Sequence, residues 1–133
     1  MIRIEHIGIA VKDFENAIST YKKLLNTDCY KRELVESEQV ETAFFRIGEN
    51  KIELLQSTTD SGVIANYIAK RGEGLHHIAI EVQDIYAEME RLKKEGFKLL
   101  NETPKKGADN KLICFVHPKD SNGLLLELCQ EII

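Results

Sequence analysis

Cysteine is scarce in this 133-residue chain: three residues, with no CxxC spacing. An odd count of that kind argues against a disulfide framework or a zinc knuckle and reads as three reduced thiols of a cytosolic protein. Long apolar runs are missing too, and none approaches the length a helix needs to span a bilayer. The opening MIRIEHIGIA has neither a long apolar stretch nor a small-residue cleavage pattern, so no secretory signal is expected. Charge of one sign never gathers. Eighteen basic against 22 acidic residues give −4, evenly mixed, which argues against nucleic-acid and anionic-membrane partners. No GxGxxG or P-loop pattern occurs, and no Pro-, Gly- or Ser-rich linker divides the chain. The remaining composition, 43% hydrophobic and 30% charged, suits one packed core and excludes wholesale disorder.

What the chain does have is a repeat. Ile4 to Asp13, IEHIGIAVKD, matches Leu75 to Asp84, LHHIAIEVQD, at His6/His77, Ile7/Ile78, Ile9/Ile80, Val11/Val82 and Asp13/Asp84. Beyond each Asp, Phe14, Ile18 and Tyr21 correspond to Ile85, Met89 and Leu92, spaced to line one helix face. Each half closes on a related segment, IELLQ at Ile52 to Gln56 and LELCQ at Leu126 to Gln130. The first half predicts a strand near 3–11 and a helix capped by Asp13 to about 25. Strands follow near 28–35, 40–47 and 51–56, with Gly48-Glu49-Asn50 turning between the last two. The second half predicts a strand at 75–82 and a helix at 84–95 ended by Gly96. Its remaining strands fall near 97–101, 111–116 and 123–129, with a turn at Asp120-Ser121-Asn122-Gly123. Residues 60–72 read as a connecting segment with a short helix, closed by Gly72 and Gly74. The fold class is therefore α+β: a single domain, 1–133, of two pseudo-symmetric βαβββ modules at about 1–59 and 74–133, joined by a connector at about 60–73.

Strand alternation then sorts the side chains. Ile4, His6, Gly8 and Ala10 share one face of the first strand, away from Ile7, Ile9 and Val11; His77, Ala79 and Glu81 share the matching face of its counterpart. In the closing strands Glu53 opposes Ile52 and Leu54, and Glu127 opposes Leu126 and Leu128. A carboxylate inside an apolar strand is costly unless something compensates for its lost hydration. Two of them, each with a matching histidine, ask for a common partner. A divalent metal answers that need, because two imidazoles and two carboxylates form an N2O2 set suited to borderline or hard ions. His76, whose counterpart is Glu5, falls on the other face and reads as structural.

The paired EHIGIAV and LHHIAIEV strands, each closed by a Glu-bearing segment, resemble the vicinal oxygen chelate (glyoxalase) superfamily. Its members build a cupped mixed sheet around a metal site from two βαβββ modules. Within it, ELLQ, KRGEGLHHIAIEV, ETPKKGA and FVHPKDSNGLLLEL resemble the methylmalonyl-CoA epimerases, over Ile4 to Gln130. The resemblance implies that His6, Glu53, His77 and Glu127 are the metal ligands, although some epimerases carry glutamine at position 53. The implied ion is divalent, Co²⁺ or Mn²⁺ first, Ni²⁺ or Zn²⁺ next. The implied reaction interconverts (2R)- and (2S)-methylmalonyl-CoA by α-proton abstraction through a metal-stabilised enolate. The partners it implies are an acyl-CoA thioester and a second copy of the chain in a cytoplasmic homodimer.

Glu127 takes one proton-transfer role by the same resemblance. A second glutamate, found in some epimerases, aligns here with Thr42; Glu41 reaches that place only through a one-residue slip or a bulge, and is the expected second acid/base on that condition. Lys105, Lys106 and Lys119 are available to the CoA phosphates. Lactoylglutathione lyase of the same superfamily is the rival reading, although its usual short acidic DPxG turn is replaced here by HPKD. A non-catalytic small-molecule binding protein of the same fold is the alternative of another class.

Overall fold

Asp13 and Asp84 start two helices in the same way. Each carboxylate accepts the backbone N–H three residues on, from Asn16 and Ala87, at 3.1 Å, satisfying one of the donors every helix start leaves open. The computed structural model describes the whole chain, Met1–Ile133, as two compact units: His6–His76, and His77–Ile133 together with Met1–Glu5.

The first unit holds β1 (Arg3–Ala10, from His6 onward), α1 (Phe14–Leu25), β2 (Lys31–Val35), β3 (Val40–Ile47), β4 (Asn50–Ser57) and α2 (Val63–Arg71). Its strands lie in the order β2-β3-β4-β1, with β1 and β4 parallel and the other pairs antiparallel. Phe14 and Ala17 of α1 bury against Val11, Ala43, Phe45 and Leu54. On the opposite face of the strands, Ile64 of α2 packs with Ala10, Val40 and Leu55.

The second unit holds β5 (Gly74–Glu81, from His77 onward), α3 (Ile85–Lys94), β6 (Lys105–Lys106), β7 (Lys111–Val116) and β8 (Leu126–Glu131). Here the order is β5-β8-β7-β6, again with one parallel pair, β5 and β8. Ile85, Met89 and Leu92 of α3 bury against Val82, Cys114, Val116 and Leu128. Position for position this is the first unit's core: Val82 stands for Val11, Ile85 for Phe14, Cys114 for Ala43, Val116 for Phe45 and Leu128 for Leu54. Gly96, at φ +93°, ends α3 in a conformation that costs a glycine little.

The α+β class and the two βαβββ modules are as expected, with three differences in detail. Met1–Glu5 belong with the second unit, because Ile2 N–H donates to the Glu81 carbonyl at 2.8 Å and Arg3 Nε to the Glu81 carboxylate at 3.0 Å. The connector helix α2 is no linker, since its apolar stripe completes a core of the first unit. The strand expected at 97–101 is absent. Leu99 makes only an isolated bridge to Val116, because the Asn101 side chain takes the Phe115 N–H at 3.1 Å and ends the ladder. The edge passes instead to β6, two residues long, which follows Pro104.

Asp84→Ala should lower stability by about 1 kcal/mol through loss of its cap. Leu128→Ala, at a fully buried position, should cost about 2–5 kcal/mol. Urea unfolding midpoints check both, and equal losses would contradict the packing described.

Candidate functional site

The parallel pairing of β1 with β4 sets Gly8 opposite Glu53. His6 lies two residues before Gly8 on the same face, and glycine puts no side chain between imidazole and carboxylate. His6 Nε2 comes to 3.4 Å from Glu53 Oε1, with the two residues only 6% and 4% exposed. The second unit repeats the arrangement. Ala79 stands opposite Glu127, His77 lies two residues before Ala79, and His77 Nε2 is 3.5 Å from Glu127 Oε1. Both residues are again buried.

An aromatic ring backs each carboxylate. Phe44 of β3 is opposite Glu53 and Phe115 of β7 opposite Glu127; the Phe115 ring also meets His77 edge-on, 5.9 Å between centroids. Such walls raise the cost of holding a carboxylate away from water. The His–Glu separations exceed the roughly 2.7–2.9 Å of a charge-assisted hydrogen bond. Imidazole and carboxylate stand side by side in each unit. The donor chemistry fits a divalent ion, and each pair is a candidate set of metal ligands.

The register of β3 decides between the two residues considered for a second acid/base. Thr42 pairs with Leu55 and Phe44 with Glu53, which puts Thr42 on the carboxylate's face. Glu41 pairs with Gln56 on the other face. There its carboxylate lies 3.6 Å from Arg32, which is also bonded to Glu15 of α1 and lies over the Phe14 ring. The ladder runs unbroken from Val40 to Ile47, so neither the slip nor the bulge that Glu41 required is present. Thr42 is fully buried and donates its hydroxyl to the Glu33 carbonyl at 3.3 Å. Of the lysines considered for phosphates, Lys105, Lys106 and Lys119 are all exposed. His76 is held as a structural residue, edge-on to the Tyr67 ring at 4.8 Å between centroids.

Sequence reading passed over two buried lysines on the carboxylate faces, Lys51 and Lys111. The signal was present for Lys111: it has the parity of Ile113 and Phe115, the face opposite to that of Leu112 and Cys114, which pack under α3.

Residues 5–115 match the Glyoxalase/Bleomycin resistance protein/Dioxygenase superfamily. The ethylmalonyl-CoA/methylmalonyl-CoA epimerase of Cereibacter sphaeroides is 38% identical, over 96% of this chain and 97% of its own. The human mitochondrial methylmalonyl-CoA epimerase is also 38% identical, over 96% of this chain and 73% of its own. Among solved structures, the Streptomyces coelicolor methylmalonyl-CoA epimerase in complex with 2-nitronate-propionyl-CoA superposes with a TM-score of 0.96 at 31% identity, covering 100% of this chain and 99% of that one. A probable lactoylglutathione lyase of Vibrio cholerae is less similar, at 30% over 96% of this chain and 90% of its own.

Cys129 shares the face of Glu127, two residues along β8. Burial first, and then the neighbouring Glu127 and Glu5 carboxylates, push its thiol far above the ordinary range, so it stays protonated at neutral pH. Burial raises the Cys114 thiol as well. Iodoacetamide at pH 8 should therefore leave Cys114 and Cys129 unmodified in the native protein and alkylate both in urea. Mass spectrometry of the digested protein reads this, and native labelling of Cys129 would contradict its burial.

Proposed function

The chain belongs to the Glyoxalase/Bleomycin resistance protein/Dioxygenase superfamily, and from that premise we propose that it is a divalent-metal-dependent epimerase of methylmalonyl-CoA. One observation carries the reading: the same buried His–Glu pair is built twice, at 3.4 and 3.5 Å, in an apolar strand setting. The names of the relatives, and the acyl-CoA analogue held by a structural neighbour, supply the substrate class.

In this reading His6, Glu53, His77 and Glu127 are the protein ligands of one ion, Co²⁺ or Mn²⁺ by preference. An ion bound by them would supply Lewis-acid stabilisation of the charge that develops on a thioester carbonyl when the α-proton leaves. Glu127 takes that proton, and its burial against Phe115 keeps water from competing for it. Glu41 has no part, since its face of β3 is that of α1 and Arg32. Thr42 stands where some epimerases have their second glutamate, and its hydroxyl is committed to the Glu33 carbonyl. A cytoplasmic homodimer with no nucleic-acid or membrane partner completes the reading; no helix is long and apolar enough to cross a membrane.

Methylmalonyl-CoA incubated with the protein in deuterated water should gain deuterium at the α-carbon. Chelator treatment should stop the exchange and Co²⁺ restore it, while Glu127→Gln should slow it by roughly 10²–10⁴-fold. His77→Ala should abolish the visible absorption of the Co²⁺-loaded protein. Conversion of the methylglyoxal–glutathione hemithioacetal without any α-exchange would replace the epimerase reading by that of the lyase.

A further inference from the structure

The two units differ in what they leave open beside their buried carboxylates. Each glutamate faces a phenylalanine across the strands, Phe44 opposite Glu53 and Phe115 opposite Glu127. Phe44 is fully buried, with the Tyr30 ring 6.2 Å away between centroids. Phe115 is only half-buried, and its ring neighbour is His77 of the His–Glu pair itself, edge-on at 5.9 Å. The duplication thus builds two aromatic walls, and only the one beside Glu127 keeps surface to offer.

The backbone of Phe115 fixes how near that ring stands to the carboxylate. Its N–H donates to the Asn101 side chain at 3.1 Å, and its carbonyl accepts the Leu100 N–H at 2.8 Å. Both groups therefore point away from β8, which makes Phe115 and Glu127 a non-hydrogen-bonded pair of the antiparallel ladder. Pairs of that kind hold their side chains closest, with Cβ atoms about 4.5–5.5 Å apart. The other apolar neighbours of Glu127 on this face have little to present. Ala79 and Cys129 are fully buried, and Ile113 is nearly so.

We propose that the Phe115 ring is the surface against which the α-alkyl group of the thioester packs, so that this residue sets which α-substituents are accepted. The proposal rests on the epimerase reading, which makes Glu127 the residue that takes the α-proton. A base has to come within roughly 3 Å of the group whose proton it takes. The alkyl group hangs from that same carbon, which brings it beside the carboxylate and against the ring across the strand. Apolar surface covered there adds binding in proportion to its area. The hydrogen bonds to Asn101 and Leu100 keep the wall from retreating, so a longer substituent meets a fixed limit.

The test compares methylmalonyl-CoA with ethylmalonyl-CoA, which is longer by one methylene at the α-substituent. Both α-deuterium exchange and calorimetric binding are measured on the full-length, Co²⁺-loaded protein. Phe115→Ala should shift the ratio of kcat/KM, and of affinity, toward ethylmalonyl-CoA by about tenfold or more, the low end of what one methylene is worth in an apolar pocket. Loss of the wall behind Glu127 slows both thioesters by a common factor, which the ratio cancels. Phe115→Leu should shift it the same way by less, and carries the comparison if Phe115→Ala unfolds. Circular dichroism checks the fold, and the Co²⁺ absorption checks that His77 keeps its place. An unchanged ratio would make Phe115 a wall of the carboxylate alone and overturn the proposal, as would a shift toward methylmalonyl-CoA. Absence of exchange by the unaltered protein would sink the reaction, while the affinity ratio would still decide the role of the ring.

Discussion

Burying a carboxylate within an apolar strand is the constraint to which the rest of the structure answers. Glu53 and Glu127 are almost sealed from solvent, and each faces a phenylalanine across the strand. An ionised carboxylate in that setting is tolerated only with compensation close by. The chain places an imidazole beside each one and keeps the intervening residue small, Gly8 in one unit and Ala79 in the other. The contact depends equally on parallel pairing, since only the β1–β4 and β5–β8 registers set the small residue opposite the glutamate.

That arrangement has to be held by something stiffer than itself, and the opposite face of the strands supplies it. Val11, Phe14, Ala43, Phe45 and Leu54 in one unit, and Val82, Ile85, Cys114, Val116 and Leu128 in the other, fill matching places under α1 and α3. Repetition is not complete. The first unit covers part of its carboxylate face with α2, whereas the second carries the buried Lys111 beside Glu131 on the matching face. Two units with a common scaffold therefore differ on the face where chemistry is proposed.

Legibility in the sequence followed the range of the interactions. The caps at Asp13 and Asp84, the helix stripes and the His and Glu parities are set within a few residues, and all could be read from spacing. Glu41 was harder, because a slip of one residue moves every side chain of β3 to the other face. Only the unbroken ladder from Val40 to Ile47 settled that Thr42 has the inward place. The segment 97–101 has the apolar content of a strand, yet the Asn101 side chain intercepts the hydrogen bond that would have extended it. Lys111 carried a usable parity signal, but a lysine in a sequence reads as exposed, and its burial depends on what β8 lays beside it.

The sequence by itself determined the duplication, the α+β class, the four His and Glu positions and their placing on one face of their strands. Periodicity is enough for these, because the backbone geometry of a strand or helix fixes where each side chain points. Tertiary structure alone decided which strands run parallel, and therefore that the imidazoles reach the carboxylates at 3.4 and 3.5 Å. It also decided the register that sends Glu41 to Arg32, the assignment of Met1–Glu5 to the second unit, and the burial of Lys111. Each of these turns on residues tens of positions apart. Their meeting depends on the balance of packing across strands, which no local pattern encodes.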